Sequence, residues 1–247
     1  MSKSRDQLRV LLLQIREDGL VRREEHQSFT DYCGLAPHQI EVLNVFDSPD
    51  FEPTAADEYD ALLVGGASEA DVLKPEQYPF VANSQQLLRR CAERHQPVFA
   101  SCFGFQLAVL ALGGEILHKD QDFEMGTIPI SLTGAAATDP LYRDTPDAFL
   151  AVSVHRQYAA RVPACCEVLA YTEQCIHSFK LRDRPFWAFQ FHPEVDRARL
   201  VERLTRFKQH YTDGDDHLEQ VLGSASDTPE ANILARKFIE RALLCES

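Results

Sequence analysis

The chain has little positive charge and no long hydrophobic run. Lys and Arg number 25 against 38 Asp and Glu, which gives a formal net charge of −13. Contacts to phosphate groups need a basic surface, so this imbalance argues against nucleic acid as a partner. No apolar run approaches the ~20 residues that a membrane-spanning helix needs. We therefore expect no membrane contact.

Regular cysteine spacing and cofactor fingerprints are also missing. The seven cysteines are odd in number and irregularly placed, which is typical of a reducing cytosol rather than of a disulfide framework. The first residues carry no cleavage-like site, so no secretory signal is expected. Gly65-Gly66 is not followed by the third glycine of a dinucleotide fingerprint, and Asp213–His217 lacks the spacing of a calcium loop. We predict a cytoplasmic protein without a cofactor and without a metal.

Apolar runs of strand length alternate with helical segments over the first half of the chain. This alternation predicts a three-layer α/β fold, in which helices cover both faces of a mostly parallel central sheet. The 247 residues suffice for one large core. Short β-like stretches between Glu115 and Ala188 predict a smaller antiparallel extension. The strand predictions for the parallel part are Arg9–Ile15, Ile40–Phe46, Ala61–Val64 and Val98–Ala100, and the helix predictions are Arg22–Tyr32 and Pro79–His95.

The C-terminal part is predicted to be helical. Asp196–Tyr211 has the pattern of an amphipathic helix. Asp227-Thr228-Pro229-Glu230 is a good helix start, with a capping residue, proline in the first turn and an acidic residue that can reach back. We predict a main domain over residues 1–212 and a helical extension over residues 213–247 that packs on it. A dimer or partner surface is the alternative for the last helix.

The stretch Pro97–Gln106 carries the most specific pattern. A short apolar run ends in small-x-Cys-x-Gly around Cys102, and an apolar, helix-prone segment follows. This is the layout of a nucleophile elbow, in which small neighbours such as Ala100 and Gly104 leave room for a strained turn. The N-terminus of the following helix favours the thiolate, which is the attacking form. We predict that Cys102 is a nucleophile; a buried structural cysteine is the alternative.

A second motif, His192-Pro193-Glu194, supplies a base for that nucleophile. Proline favours an extended backbone at the preceding residue, and residues two apart in an extended segment point to the same side. His192 and Glu194 can therefore lie side by side, so that Glu194 orients the imidazole. A chance occurrence at a strand end is the alternative, and the presence of the elbow argues against it.

Together these motifs resemble the triad, or class I, glutamine amidotransferases. The family signature reads Gly-x-Cys-x-Gly-x-Gln and, much later, Phe-His-Pro-Glu. The resemblance covers roughly residues 8–210 and is closest to the glutaminase domain of GMP synthase and its free-standing relatives. It implies a Cys102, His192 and Glu194 triad. Two positions depart from the pattern: Ala100 replaces the usual first glycine, and Phe105 stands where many members carry histidine.

The resemblance also implies which residues complete the site. The turn ending in Gly66 looks like the family's Gly-Gly turn, whose amide would hold an oxyanion together with the amide of Phe103. Gln106 lies one turn into the nucleophile helix, where the family contacts its glutamine substrate. His155 falls in the family's substrate-contacting segment. The neighbouring Arg156 could bind an α-carboxylate through its fork, or be an exposed structural arginine.

Glutamine side-chain amide hydrolysis through a γ-glutamyl thioester is the activity that the resemblance implies. The substrate would be glutamine or another γ-glutamyl compound. After Tyr211 only one or two helices follow, so we expect either a synthetase partner acting in trans or an enzyme that works alone. Two other readings stay open: a γ-glutamyl hydrolase or peptidase, and a non-catalytic binding protein on the same fold. His177, in a predicted strand, is interpreted as structural.

Overall fold

A nine-stranded mixed sheet and a separate two-stranded sheet organise this computed structural model, which describes residues 3–121, 123–206 and 215–245. The strands are β1 Val10–Gln14, β2 Ile40–Asn44, β3 Ala61–Val64, β4 Val98–Ser101, β5 Leu117–His118, β6 Glu124–Leu132, β7 Ala148–His155, β8 Gln157–Tyr158, β9 Cys166–Tyr171, β10 Ile176–Leu181 and β11 Phe186–Phe189. The large sheet has the order β2-β1-β3-β4-β11-β10-β9-β6-β7, and β5 pairs with β8. The chain thus has the predicted α/β class.

The sheet divides into a parallel half and an antiparallel half. Neighbours from β2 to β11 are parallel, whereas every pair from β11 onward to β7 is antiparallel. The predicted parallel core and its antiparallel extension are therefore confirmed. All of β1 is buried because layers cover both faces of the sheet. Leu11 and Leu13 join one core, and Val10 and Leu12 join the other, as alternation along a strand requires.

Six helices in the described part of the chain form the outer layers. They are α1 Gly19–Cys33, α2 Phe80–Glu93, α3 Phe103–Ala111, α4 Arg197–Arg206, α5 Asp215–Ser224 and α6 Pro229–Lys237, and short 3₁₀ turns cover Arg5–Gln7, Pro37–Gln39 and Gly134–Thr138. Helices α2 and α3 pack on one face of the sheet. Helices α1 and α6 pack on the other, where a π-helical turn, Phe238–Leu243, continues α6. None of the described helices is long and apolar enough to cross a membrane.

Some element boundaries differ from those predicted. Helix α1 begins three residues before the predicted Arg22, because the Asp18 carboxylate caps it by accepting the N–H groups of Leu20 and Val21 at 2.7 and 3.0 Å. Helix α4 is described as far as Arg206, and the remainder of the helix predicted to Tyr211 lies outside the described residues.

The C-terminal helix α6 packs against α1 and β7. The predicted boundary between residues 212 and 213 and the start of Asp213–His217 lie outside the described residues. The division into two domains therefore stays a prediction.

Candidate active site

The carboxyl edge of the parallel strands gathers the chemically important residues. Gly65-Gly66 follows β3, Cys102 follows β4, and His192 lies three residues beyond β11. Strands β3, β4 and β11 are parallel neighbours, so their carboxyl ends meet at one edge. This edge is where open α/β sheets bind ligands.

Cys102 sits on a strained turn between β4 and α3. Its φ of 50° and ψ of −100° are rare for a residue with a side chain. Its N–H donates to the Phe189 carbonyl at 2.7 Å, which fixes the turn to the neighbouring strand. Gly104 is required two residues later, because a Cβ there would lie 2.9 Å from both the Cβ and the carbonyl oxygen of Val64. Cys102 is 5% exposed and lies at the N-terminus of α3.

His192 and Glu194 form a buried pair beside this turn. The Nδ1 atom of His192 lies 2.7 Å from Oε1 of Glu194, and Glu194 is fully buried. Burial lowers the pKa of His192, but the neighbouring Cys102 sulfur and Glu194 carboxylate outweigh it and raise the pKa to about 9. Burial opposes ionisation of Glu194 too, yet His192 holds its pKa below the ordinary value. The imidazole therefore favours its charged form.

Gly66 lies directly against Cys102 and His192. A Cβ at Gly66 would be 2.8 Å from Cε1 of His192 and 3.6 Å from Cβ of Cys102. The Cys102 sulfur lies 3.9 Å from the Val154 carbonyl oxygen, and Cys102 is near enough to His192 to raise the pKa of the imidazole. Phe103 is the first residue of α3, so its N–H has no acceptor within the helix. The site thus joins a thiol, an imidazole and backbone amides.

A buried ion pair lies behind the Gly65-Gly66 turn, and sequence reasoning missed it. Nε of Arg16 lies 2.9 Å from Oε1 of Glu25, with side-chain exposures of 2% and 0%. A Cβ at Gly65 would lie 2.7 Å from Glu25 Oε1. Burial raises the pKa of Glu25, and Arg16 opposes this rise. The sequence has no local pattern that predicts this contact, because Arg16 follows β1 and Glu25 lies within α1.

The loop that carries His192 and Glu194 is held by helix α6. Nδ2 of Asn232 donates to the carbonyl oxygens of Pro193 and Val195, at 2.9 Å each. Asn232 is itself buried, and its Oδ1 accepts from the Thr228 hydroxyl at 3.0 Å. Sequence reasoning missed this contact as well. The available signal was a polar residue between Ala231 and the apolar Ile233 and Leu234 of this amphipathic helix.

A cavity of about 290 Å³ lies between the loop after β3 and the end of β7. His155 and Arg156, both predicted to bind substrate, contribute to its wall. The Arg156 guanidinium lies 3.9 Å above the ring of Phe123 and donates to the Asp120 carbonyl at 2.7 Å. Gln106, the third residue predicted to bind substrate, is buried and donates at 3.3 Å to the carbonyl of Gln157, which lines the same cavity.

His155 also belongs to a buried cluster with Glu124, Cys175 and His177. Their potential ligand atoms all lie within 4.8 Å of one another. Burial opposes ionisation of Glu124, but the neighbouring imidazoles of His155 and His177 hold its pKa well below the ordinary range. Sequence reasoning named two of these residues singly, His155 as substrate-binding and His177 as structural, and did not bring the four together.

Comparison with known proteins identifies a matching family model. Residues 27–207 match the model of class I glutamine amidotransferases. A glutamine-hydrolysing GMP synthase subunit from Methanococcus maripaludis (strain C5) is 36% identical over 111 residues, which cover 44% of this chain and 57% of that protein. The glutamine-hydrolysing GMP synthase of Thermotoga maritima is 23% identical over 241 residues, covering 87% of this chain and 45% of that protein. The chain thus spans less than two thirds of either relative.

Solved structures share the fold. A glutamine amidotransferase from Thermotoga maritima superposes with a TM-score of 0.74 at 18% identity, covering 96% of this chain and 98% of that one. A glutamine amidotransferase from Methylobacillus flagellatus gives a TM-score of 0.68 at 18% identity, covering 96% and 95%. At these identities the likeness concerns the fold alone.

Proposed function

The chain belongs to the class I glutamine amidotransferase family, and on this premise we propose that it hydrolyses the side-chain amide of glutamine. The observation that carries the proposal is the strained Cys102 turn beside the buried His192–Glu194 pair, whose Nδ1 and Oε1 atoms are 2.7 Å apart. A nucleophile, a base and an orienting carboxylate within reach of one another are what covalent amide hydrolysis needs.

The reaction proceeds in two halves. The Cys102 thiolate attacks the amide carbon of the substrate, and the tetrahedral intermediate collapses to a γ-glutamyl thioester. His192 donates its proton to the departing nitrogen, so that ammonia leaves. It then takes a proton from water, which attacks the thioester, releases glutamate and regenerates the Cys102 thiolate. Glu194 holds the imidazole through Nδ1 and stabilises its charged form.

Two backbone amides stabilise the oxyanion in both halves. The N–H of Phe103 opens α3 without a helical acceptor, and Gly66 lies against Cys102 and His192. One such donor is usually worth about 3 kcal/mol in the transition state. A side chain at Gly66 would meet His192, so glycine is the residue that leaves this space to the substrate.

The cavity of about 290 Å³ receives the rest of the substrate. Arg156 supplies a cation for the α-carboxylate. Elsewhere in the cavity wall, Glu69 has a buried carboxylate oxygen with no hydrogen-bond partner, which can accept the α-ammonium group. Gln106 and His155 complete this proposal as substrate-binding residues. Arg156 and Glu69 thus supply the positive and the negative charge needed to recognise the α-carboxylate and the α-ammonium group of a free amino acid.

A synthetase acting in trans is the proposed consumer of the ammonia, in the cytoplasm. The support comes from the relatives, which include a component of a glutamine-hydrolysing GMP synthase. A γ-glutamyl hydrolase is the second candidate. Its support is the extent of the site beyond Arg156, where a smaller cavity of about 50 Å³ shares Phe123, His155 and Arg156 with the first. The intact Cys102, His192 and Glu194 set counts against a purely non-catalytic role.

A substrate panel tests the proposal. The purified chain is incubated with glutamine and with γ-glutamyl peptides, and released ammonia or amine is measured against a Cys102→Ala variant. Ammonia release from glutamine supports the amidotransferase reading. An increase in that release when a synthetase is added supports a synthetase partner. Vigorous cleavage of γ-glutamyl peptides by the chain alone, with glutamine a poor substrate, would instead establish the hydrolase reading.

A further inference from the structure

The buried cluster of Glu124, His155, Cys175 and His177 joins three strands of the antiparallel extension. Glu124 begins β6, His155 ends β7 directly opposite it in register, and His177 lies in β10 just after Cys175. All four side chains are buried: Glu124 and His155 are 8% exposed, Cys175 is 7% exposed and His177 is 0% exposed. Polar groups are rarely buried together in this way unless they are hydrogen-bonded or bind a ligand.

The four side chains converge on one point. Oε2 of Glu124 lies 2.7 Å from Nε2 of His177, 3.1 Å from Nε2 of His155 and 3.5 Å from Sγ of Cys175. Zinc binds nitrogen, oxygen and sulfur at about 2.0–2.3 Å in a tetrahedron, so its ligand atoms lie roughly 3.3–3.8 Å from one another. The observed separations run from 2.7 Å to at most 4.8 Å and so bracket this size, and side-chain adjustments rather than a change of fold would admit the ion.

Hydrogen bonds to Glu124 satisfy part of the cluster but leave a buried imidazole nitrogen, Nε2 of His155, without a partner. Both imidazoles and the thiol direct a potential donor atom at the same carboxylate oxygen. Nε2 of His155 is buried, and although it lies 3.1 Å from that oxygen it makes no hydrogen bond of acceptable geometry. The other oxygen of Glu124 accepts from the Thr172 hydroxyl at 2.7 Å. Such an outer hydrogen bond is what orients a carboxylate ligand towards a metal.

We propose that Glu124, His155, Cys175 and His177 form a structural Zn²⁺ site. Two imidazoles, one thiolate and one carboxylate are a ligand set that suits zinc, whereas Mg²⁺ and Ca²⁺ require oxygen ligands. The thiolate and the carboxylate balance the charge of the ion. Four protein ligands close the coordination shell, which is typical of a structural rather than a catalytic site. The proposal departs from the sequence-based expectation of no metal.

Zinc at this position would brace the wall of the candidate active site. It would tie β6, β7 and β10 together beside Val154, whose carbonyl oxygen faces the Cys102 sulfur at 3.9 Å. The His155 ring, which lines the cavity, would then be held by its Nε2 atom. The zinc proposal can be tested separately from the proposed amide hydrolysis, because metal content and ligand spectra report on the site without an activity assay.

Zinc titration of the full purified chain against a chromophoric chelator tests the proposal. We expect one Zn²⁺ per chain with a Kd below about 1 μM, since structural zinc is bound tightly. Cys175→Ser and His177→Gln should each weaken binding by at least about 100-fold. The matched controls are Cys166→Ser, a buried cysteine in the adjacent β9, and His38→Gln, an exposed histidine; both should bind zinc as the native chain does.

Cobalt substitution reports the ligands directly. Co²⁺ in the native chain should give thiolate-to-cobalt charge-transfer absorption, which Cys175→Ser abolishes and Cys166→Ser retains. If the ligand variants fail to fold, the melting temperature of the native chain carries the test, because a metal bound only by the folded state raises it. A folded native chain that binds no zinc at micromolar concentration would overturn the proposal. So would loss of zinc in Cys166→Ser with retention in Cys175→Ser.

Discussion

The Nδ1 atom of His192 lies 2.7 Å from Oε1 of Glu194, with Glu194 fully buried and the far side of the ring near the thiol of Cys102. The contact orients the ring by fixing Nδ1 towards the carboxylate. It also raises the proton affinity of the ring, as the adjacent sulfur does. The same loop is held from behind by Asn232. The local geometry therefore holds the imidazole in one orientation.

Substitutions of His192 and Glu194 are predicted to reduce catalytic activity to different extents. His192→Ala should reduce kcat for glutamine hydrolysis by at least about 1,000-fold, because it removes the group that transfers protons. Glu194→Gln should retain more activity, since it removes the orienting charge and leaves the base. Steady-state kinetics on the two variants measures the difference. Activity in His192→Ala together with inactivity in His155→Ala would show that the base is misassigned.

Stability should fall at alkaline pH because of His192. Its pKa is about 9 in the folded chain against an ordinary value of 6.5, so the folded state holds the proton more tightly. The resulting stabilisation is complete below pH 6.5 and is lost as the pH rises through 9. Urea unfolding at the two ends of this pH window should show a larger fall in unfolding free energy for the native chain than for His192→Gln. Equal falls would contradict the raised pKa.

Asn232 should act as a positioning residue. Asn232→Ala removes the two hydrogen bonds to the Pro193 and Val195 carbonyl oxygens, so kcat should fall about 10- to 100-fold as His192 loses its alignment. Asn83→Ala is the control, because its Nδ2 also donates at 2.9 Å to a backbone carbonyl, that of Pro49, and neither residue lines the cavity beside the site. The control should lose less stability and keep its activity, because Asn83 is half-buried and makes one such hydrogen bond. Equal activity losses in both variants would point to a general effect on folding.

Gly66 should tolerate no side chain. In Gly66→Ala the new Cβ would lie 2.8 Å from Cε1 of His192 and 2.9 Å from Nη2 of Arg16, so the ring must move. We expect kcat to fall by about 100-fold or more, because the displaced turn would misplace one oxyanion donor, whose loss usually costs about that much. Gly134→Ala, where a Cβ meets nothing within 4 Å, is the control. Full activity in Gly66→Ala would remove this turn from the mechanism.

The sequence predicts the fold class, and it also predicts that the candidate site lies at the carboxyl edge of the parallel strands. Both predictions have a physical reason. The patterns around Cys102 and His192 are local: each couples a strand end to a turn, and parallel strands place their ends together. Such features can be read from a few adjacent residues. The roles of these residues in catalysis stay predictions until they are tested.

Contacts between distant segments could not be predicted. Arg16 meets Glu25 only because α1 folds back over β1, and Asn232 reaches Pro193 from a helix far along the chain. The pairing of Glu124 with His155 depends on strand register, which the loop between β6 and β7 does not reveal. Polar residues of this kind lack periodicity, so the pattern that locates the core does not locate their partners.

Selective labelling of Cys102 tests the central claim most directly. The native chain is exposed briefly to a chloroketone analogue of glutamine, and the modified cysteine is identified by mass spectrometry of its peptides. The strained turn, the helix N-terminus and the adjacent His192 predict that Cys102 reacts first among the seven cysteines, that excess glutamine protects it, and that His192→Ala slows the reaction. Equal labelling at Cys33 or Cys165, unaffected by glutamine, would contradict the account.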